Sequence, residues 1–143
     1  MKIHLVMVGK TRRPEIRALV GDYVTRIERF ADVRISELRE DSPASHRKLS
    51  LDPAATVVLL DDAGKAQTSE QFAQWLGEAR DRGAREIAFL CGGAEGFPEA
   101  LRCRATQKLS LSSLTFSHEL ARAMLVEQLY RAFSILAGFP YPK

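Results

Sequence analysis

Three short segments of this chain are apolar at almost every position: KIHLVMV (2–8), TVVLLD (56–61) and EIAFLC (86–91). A strand with one wet face alternates apolar and polar residues. A strand apolar throughout is covered on both faces, as in a parallel sheet flanked by helices. The stretches between these segments carry helical periodicity. Pro14 stands where a first helical position belongs, and Ile16, Leu19, Val20, Tyr23, Val24, Ile27 and Phe30 follow at three- and four-residue steps. Thr68 and Gln71 have the spacing of a capping box ahead of Phe72, Trp75, Leu76 and Ala79, and Arg82-Gly83 closes that helix. Val33, Ile35 and Leu38 read as a weaker strand toward an edge, and residues 41–53 as a loop. Asp61-Asp62-Ala63-Gly64-Lys65 reads as a turn. Pro98 opens a short helix to about residue 106, Leu109 and Leu111 form a brief strand, and a long helix runs from Ser117 to Ala137 with Gly138 as its stop. The order β-α-β-β-α-β-α-β-α predicts an α/β fold with a mostly parallel sheet flanked by helices.

A length of 143 residues suits one domain, residues 1–143. No run of 18 apolar residues is present, and MKIHLVMVGK is too short for an export signal, so the chain is expected in the cytoplasm. Cys91 and Cys103 have no His or Cys partners at metal-ligand spacing, and His4, His46 and His118 are scattered; no metal site is expected. The net charge is +3, with basic clusters at Lys10/Arg12/Arg13/Arg17, Arg80/Arg82/Arg85 and Arg102/Arg104/Lys108. Such clusters are compatible with a nucleic-acid partner and equally with solvated helix faces.

Loops of unusual content follow three strands: LLDDAGK (59–65), LCGGAEGF (90–97) and LSLSSLTFSH (109–118). In an open α/β sheet ligands bind outside the carboxyl ends of the strands, so three such loops side by side make one pocket. GGAEG is neither GxGxxG nor GxxxxGK, and no acidic residue about 20 positions on is placed to take a ribose. Two readings remain for the glycines: a tight structural turn, or a cradle of main-chain groups around an uncharged heterocycle such as adenine. Residues 109–117 contain no charge at all. Leucines alternating with small hydroxyls suit a clamp on an aromatic ring; a strand edge plus a Ser117 helix cap is the plainer alternative. The last helix is apolar over most of its circumference, which requires burial on more than one side. A second copy of the chain packed on that helix, a homodimer, meets the requirement.

Taken together, LLDDAGK, FLCGGAEG and LSLSSLTFSHELARAMLVEQLYRAFSILAGFPYPK resemble the ribosomal RNA large subunit methyltransferase H family of the SPOUT superfamily. The resemblance runs the length of the chain. It implies a C-terminal trefoil knot, S-adenosylmethionine (SAM) bound in the knot crevice, and a homodimer through the C-terminal helix. It also implies methylation at N3 of a pseudouridine in 23S rRNA of the assembled ribosome. Carried over residue by residue, the cofactor-binding positions are Leu60, Gly92, Leu111, Ser112, Ser113, Leu114, Thr115 and Phe116. The chain departs from the family pattern in the short 41–53 segment. It departs again at the terminus, Tyr141-Pro142-Lys143, where the family has Tyr-His and basic residues.

N3 of a pseudouridine is a weakly acidic imide nitrogen, so its attack on a methyl group needs a proton acceptor. His118 is a candidate acceptor, or a helix-cap residue. Arg122, one turn on, is a candidate for stabilising the imide anion, and Tyr141 for reaching the base in the other subunit. A SPOUT enzyme acting on tRNA or another rRNA site, and a non-catalytic ribosome-associated dimer, are the competing readings.

Overall fold

The computed structural model describes residues 1–40, 46 and 49–141. Residues 41–45, 47 and 48 of the expected loop, and Pro142 and Lys143 of the tail, lie outside the described residues. Five parallel strands form one sheet in the order β2-β1-β4-β3-β5. They are β1 (Lys2–Val8), β2 (Asp32–Leu38), β3 (Thr56–Ala66), β4 (Glu86–Cys91) and β5 (Gln107–Ser110). The helices are α1 (Pro14–Ile27), α2 (Ser69–Asp81), α3 (Glu99–Arg102) and α4 (His118–Ala137). The continuous apolar runs are β1, β4 and the first half of β3, the three inner strands. β4 is buried at every position and β1 at every position after Lys2. β2 is an edge strand with mixed exposure, as its weaker pattern predicts.

The two faces of the sheet are covered unequally. On one side Leu5, Met7 and Phe89 meet Val20 and Val24 of α1, Phe72 and Leu76 of α2, and Leu125, Leu129 and Phe133 of α4. On the other, Val6, Val8, Val57, Leu59 and Leu90 are covered by Leu49 and by Leu101 of α3. Helix α4 is wedged between α1 and α2, so most of its circumference is buried within one chain. A remaining stripe faces outward: Leu120 (44% exposed), Met124 (42%) and Ile135 (44%), with Phe139 (46%) beyond the helix. The capping box on α2 is formed, with Thr68 Oγ1 accepting from the Gln71 amide at 3.1 Å and Gln71 Oε1 accepting from the Thr68 amide at 2.9 Å.

Three boundaries differ from the sequence reading. The expected turn at 61–65 lies inside β3: Leu60 and Lys65 both pair with Leu109, so residues 61–64 loop out and the strand resumes. Asp61 Oδ1 accepts the Ala63 amide at 3.0 Å to tighten this loop. A Cβ on Gly64 would stand 3.0 Å from the Asp61 carbonyl and from the Leu109 amide. Helix α3 ends at Arg102, four residues early, because Thr106 is drawn onto β3; its amide and hydroxyl donate to the Val57 carbonyl at 2.8 and 3.0 Å. Leu111 lies just beyond β5 and is freed for the loop that follows.

At the amino end of the sheet, buried His4 places Nε2 2.8 Å from Ser36 Oγ and Nδ1 3.5 Å from Glu86 Oε1. Burial, helped by Arg34 and Lys2 and opposed by Glu86, holds its pKa below the ordinary 6.5. The folded chain therefore keeps His4 neutral at a pH where the unfolded chain has taken up the proton. Stability is unaffected by His4 above pH 6.5 and falls as the pH drops below it, by up to about 1.4 kcal/mol per pH unit. Urea titrations at pH 7.5 and 5.5 check this: His4→Gln is expected to flatten the decline, and an unchanged decline removes His4 as its source.

Candidate active site

The carboxyl ends of β3 and β4 and the chain leaving β5 open onto one cavity of about 470 Å³. Leu60 and Asp62 come from β3, Gly92, Gly93, Gly96 and Phe97 from the turn after β4, and Leu111, Ser112, Leu114, Thr115, Phe116 and Ser117 from the loop after β5. His118 and Ala121, on the first turn of α4, close one side. Seven of the eight cofactor positions named from the resemblance lie on its wall; Ser113 does not. Asp62 and Phe97 were missed. Asp62 is carried inward by the loop-out of β3, which no sequence periodicity announces. Phe97 closes the glycine turn, and nothing local in the sequence says that its ring faces the cavity.

The loop after β5 is held by its own hydroxyls. Ser110 Oγ donates to the Ser112 carbonyl at 2.9 Å, the Leu114 amide donates to Ser112 Oγ at 3.0 Å, and Thr115 Oγ1 donates to Asp62 Oδ2 at 2.7 Å. The Ser117 hydroxyl accepts the Leu120 amide at 3.4 Å as the α4 cap. The glycines are required by space. A Cβ on Gly93 would lie 2.7 Å from the Val8 carbonyl oxygen, and one on Gly92 would press on Phe97 at 3.3 Å. Gly93 and Gly96 exchange amide–carbonyl bonds at 3.1 and 3.0 Å, so the turn is closed on itself. Apolar walls, main-chain groups and a few hydroxyls in this volume suit a nucleoside-sized, largely uncharged ligand.

The three catalytic candidates are not brought together. His118 lines the cavity, with Nε2 3.9 Å from Glu119 Oε2. Glu119 accepts the Arg13 and Arg12 amides at 3.0 and 3.1 Å, and these bonds hold its pKa below the usual carboxylate range despite burial. Arg122 was expected to face the substrate; it is fully buried and does not line the cavity. Its guanidinium donates to Thr11 Oγ1 at 2.9 Å and to the Val8 carbonyl at 2.7 Å, which makes it a clamp on the end of β1. Tyr141 also lies off the cavity. Its hydroxyl donates to Glu127 Oε2 at 2.8 Å and pairs with Tyr23 Oη at 2.9 Å, and its ring meets Tyr130 edge-on at 4.8 Å. Burial and those two bonds push its pKa up, so the phenol stays neutral. Glu127 is nine residues along α4 from His118, about 14 Å at 1.5 Å per residue. Buried Cys91 at the end of β4 has its pKa pushed by burial to about 12 and is an inert packing thiol. Among the described residues no group of three or more His, Cys, Asp or Glu side chains is placed to hold a metal, and no helix is long and apolar enough to cross a membrane.

A parallel α/β sheet with a nucleoside-sized cavity at its carboxyl end, built partly from an uncharged loop before the last helix, is the arrangement of a SPOUT methyltransferase. The family model described as "Predicted SPOUT methyltransferase" matches residues 1–142, and the chain belongs to this family. Similar proteins over the full length carry the name ribosomal RNA large subunit methyltransferase H. That of Trichlorobacter lovleyi is 40% identical, with 99% of each chain covered. That of Solibacter usitatus is 41% identical, again with 99% of each covered, and that of Geobacter metallireducens is 40% identical, covering 99% of this chain and 98% of the relative. Membership implies a trefoil knot in the C-terminal part, which strand order and register alone do not display.

Proposed function

We propose that this chain is a SAM-dependent methyltransferase that modifies N3 of a pseudouridine in 23S rRNA, acting on the assembled ribosome in the cytoplasm as a single-domain homodimer. One observation carries the reading: the cavity walled by Leu60, the Gly92–Gly93 turn and the 111–116 loop, in a chain similar end to end to rRNA large subunit methyltransferases. The residues fit the cofactor. Leu60, Leu111, Leu114 and Phe116 offer faces for an adenine ring, main-chain groups of the loop and turn meet its edge, and Asp62, Ser112 and Thr115 are at hand for hydroxyl or amino groups. Bound there, SAM supplies a methyl group already activated by its sulfonium charge.

The chain's own task is then to orient, to exclude water and to take a proton. Orientation alone is worth several kcal/mol when the reacting atoms are held in line. His118, at the cavity wall, accepts the N3 proton on its imidazole. Glu119, held anionic by two main-chain bonds, stands beside the imidazolium so formed. Tyr141 is too far along α4 to serve the cavity of its own chain. In a homodimer packed through the α4 stripe it serves the other chain's substrate as a neutral phenol, whose proton turns from Glu127 to the base.

The test is transfer of labelled methyl from SAM to large ribosomal subunits of a strain lacking the gene, with the product nucleoside mapped by mass spectrometry. One N3-methylpseudouridine is the expected outcome. Transfer to tRNA or another rRNA site would select the alternative SPOUT reading, and absence of SAM binding heat would select the non-catalytic dimer. Met124→Asp with Ile135→Asp is expected to leave a monomer in light scattering and to lower transfer at least 10-fold. A wild-type monomer would remove the dimer from the mechanism.

A further inference from the structure

The basic cluster Lys10, Arg12, Arg13 and Arg17 is divided by the fold into two groups with opposite duties. Arg17, though exposed, is engaged by the fold: its Nε and Nη2 donate to the Thr11 carbonyl at 3.1 and 2.8 Å, and it stands 3.5 Å from Glu37. Arg122 reaches the same residue from α4, on the hydroxyl. The Thr11 amide donates to Glu37 Oε2 at 2.8 Å, and the next two amides, of Arg12 and Arg13, donate to the Glu119 carboxylate. The main chain of this loop is therefore bound from β2, α1 and α4 at once. The side chains of Lys10, Arg12 and Arg13 remain outside, all exposed. Among the described residues Lys10 and Arg12 have no anionic partner. Arg13 has only Glu15, at 3.9 Å with both side chains mostly in water, a contact worth little.

We propose that residues 10–13 are the phosphate-binding element of the RNA substrate, held rigid at the mouth of the active site. The proposal rests on the rRNA reading above. The location is set by Glu119: it follows His118 of the cavity wall and grips the loop by two amides. A nucleotide whose base enters the cavity brings its flanking phosphates past this rim. Contacts to phosphate fix register and orientation, and arginine forks match phosphate oxygens in pairs. A main chain ordered before binding spares the complex the cost of ordering it afterwards. Five bonds to the main chain of a surface loop whose cations are free to leave water for a phosphate are what such a contact needs.

The triple variant Lys10→Ala, Arg12→Ala, Arg13→Ala tests this in the full-length protein. Among the described residues none of the three side chains makes a hydrogen bond, and Arg13 caps α1 without its side chain, so SAM affinity by calorimetry is expected to stay within twofold. The KM for large ribosomal subunits is expected to rise at least 10-fold at 100 mM KCl. The slope of log KM against log salt is expected to flatten by about two, since each lost phosphate contact removes roughly 0.7–0.9. Arg12→Lys with Arg13→Lys should keep most of the slope. Wild-type KM and slope in the triple variant would overturn the proposal and leave the rRNA reading standing. A raised KM with an unchanged slope would also overturn it, since the cations would then meet something other than phosphate. Wild-type protein that transfers no methyl to subunits would bring down the rRNA reading and the phosphate assignment together.

Discussion

Arg122→Ala is expected to lower the free energy of unfolding by about 3–5 kcal/mol, a fall in Tm of roughly 10 °C for a chain of this size. The side chain is fully buried, so its removal leaves a hole the size of a large side chain. It also strips the Val8 carbonyl and the Thr11 hydroxyl of their donors, at about 1–3 kcal/mol for each buried group left unpaired. The guanidinium is costly to bury: desolvation lowers its pKa from 12.5, against the opposing influence of Cys91 and the carboxylates of Glu119, Glu37 and Glu40. Arg122→Met, which keeps most of the volume and none of the donors, is expected to lose about 2 kcal/mol and so to separate hydrogen bonding from cavity formation. Guanidinium titration of the three proteins measures both. A loss below about 1 kcal/mol for the alanine variant would mean that the clamp does not hold the strand end.

Gly93→Ala is expected to weaken binding of the proposed cofactor at least 30-fold, about 2 kcal/mol, and to cost a further 1–3 kcal/mol of stability by overpacking. The backbone φ of Gly93 is unexceptional, so the constraint is space alone. An added Cβ meets the Val8 carbonyl oxygen and Glu40 Oε1, each at 2.7 Å. The glutamate can swing away. The carbonyl cannot, because Arg122 holds it. The β4 turn must therefore move off β1, and the cavity wall moves with it. Gly96→Ala meets nothing within 4 Å and pays only for its positive φ, so its effect on binding should be far smaller. Gly21→Ala, in open space on α1, is the neutral control. Calorimetric titration with SAM and thermal melts of the three variants check the ranking. If Gly93→Ala binds like Gly21→Ala, the turn is not part of the site.

Both predictions converge on the Val8 carbonyl, and neither could be made from the sequence. In the sequence Arg122 is a candidate for the substrate because it lies one helical turn from His118. Periodicity places the two on one face of a helix, a turn apart, and it says nothing of what that face meets at each turn. Only the packing of α4 against the end of β1 turns Arg122 inward. Likewise the apolar girth of α4 points to a second subunit, and most of it is met within the chain by α1 and α2. The outward stripe of Leu120, Met124 and Ile135 is what remains for another copy. The basic run at 10–17 reads as one cluster and is two.

By itself the sequence determined the layers and the strand class. Apolar runs without alternation can be satisfied only between two covering faces, and the local signals at Pro14, Thr68–Gln71, Ser117 and Gly138 start and stop the helices through short-range hydrogen bonds. It also marked the three loops that wall the cavity, because a strand end followed by glycines or by an uncharged loop is a local feature; the seven wall residues within them are named by the family resemblance. Tertiary structure decided the strand order, the loop-out that carries Asp62 into the cavity, the inward turn of Arg122 and the separation of Tyr141 from His118. Each of these depends on which distant segments share a boundary. Such contacts are set by the mutual fit of surfaces far apart in the chain, and no pattern within one segment encodes them.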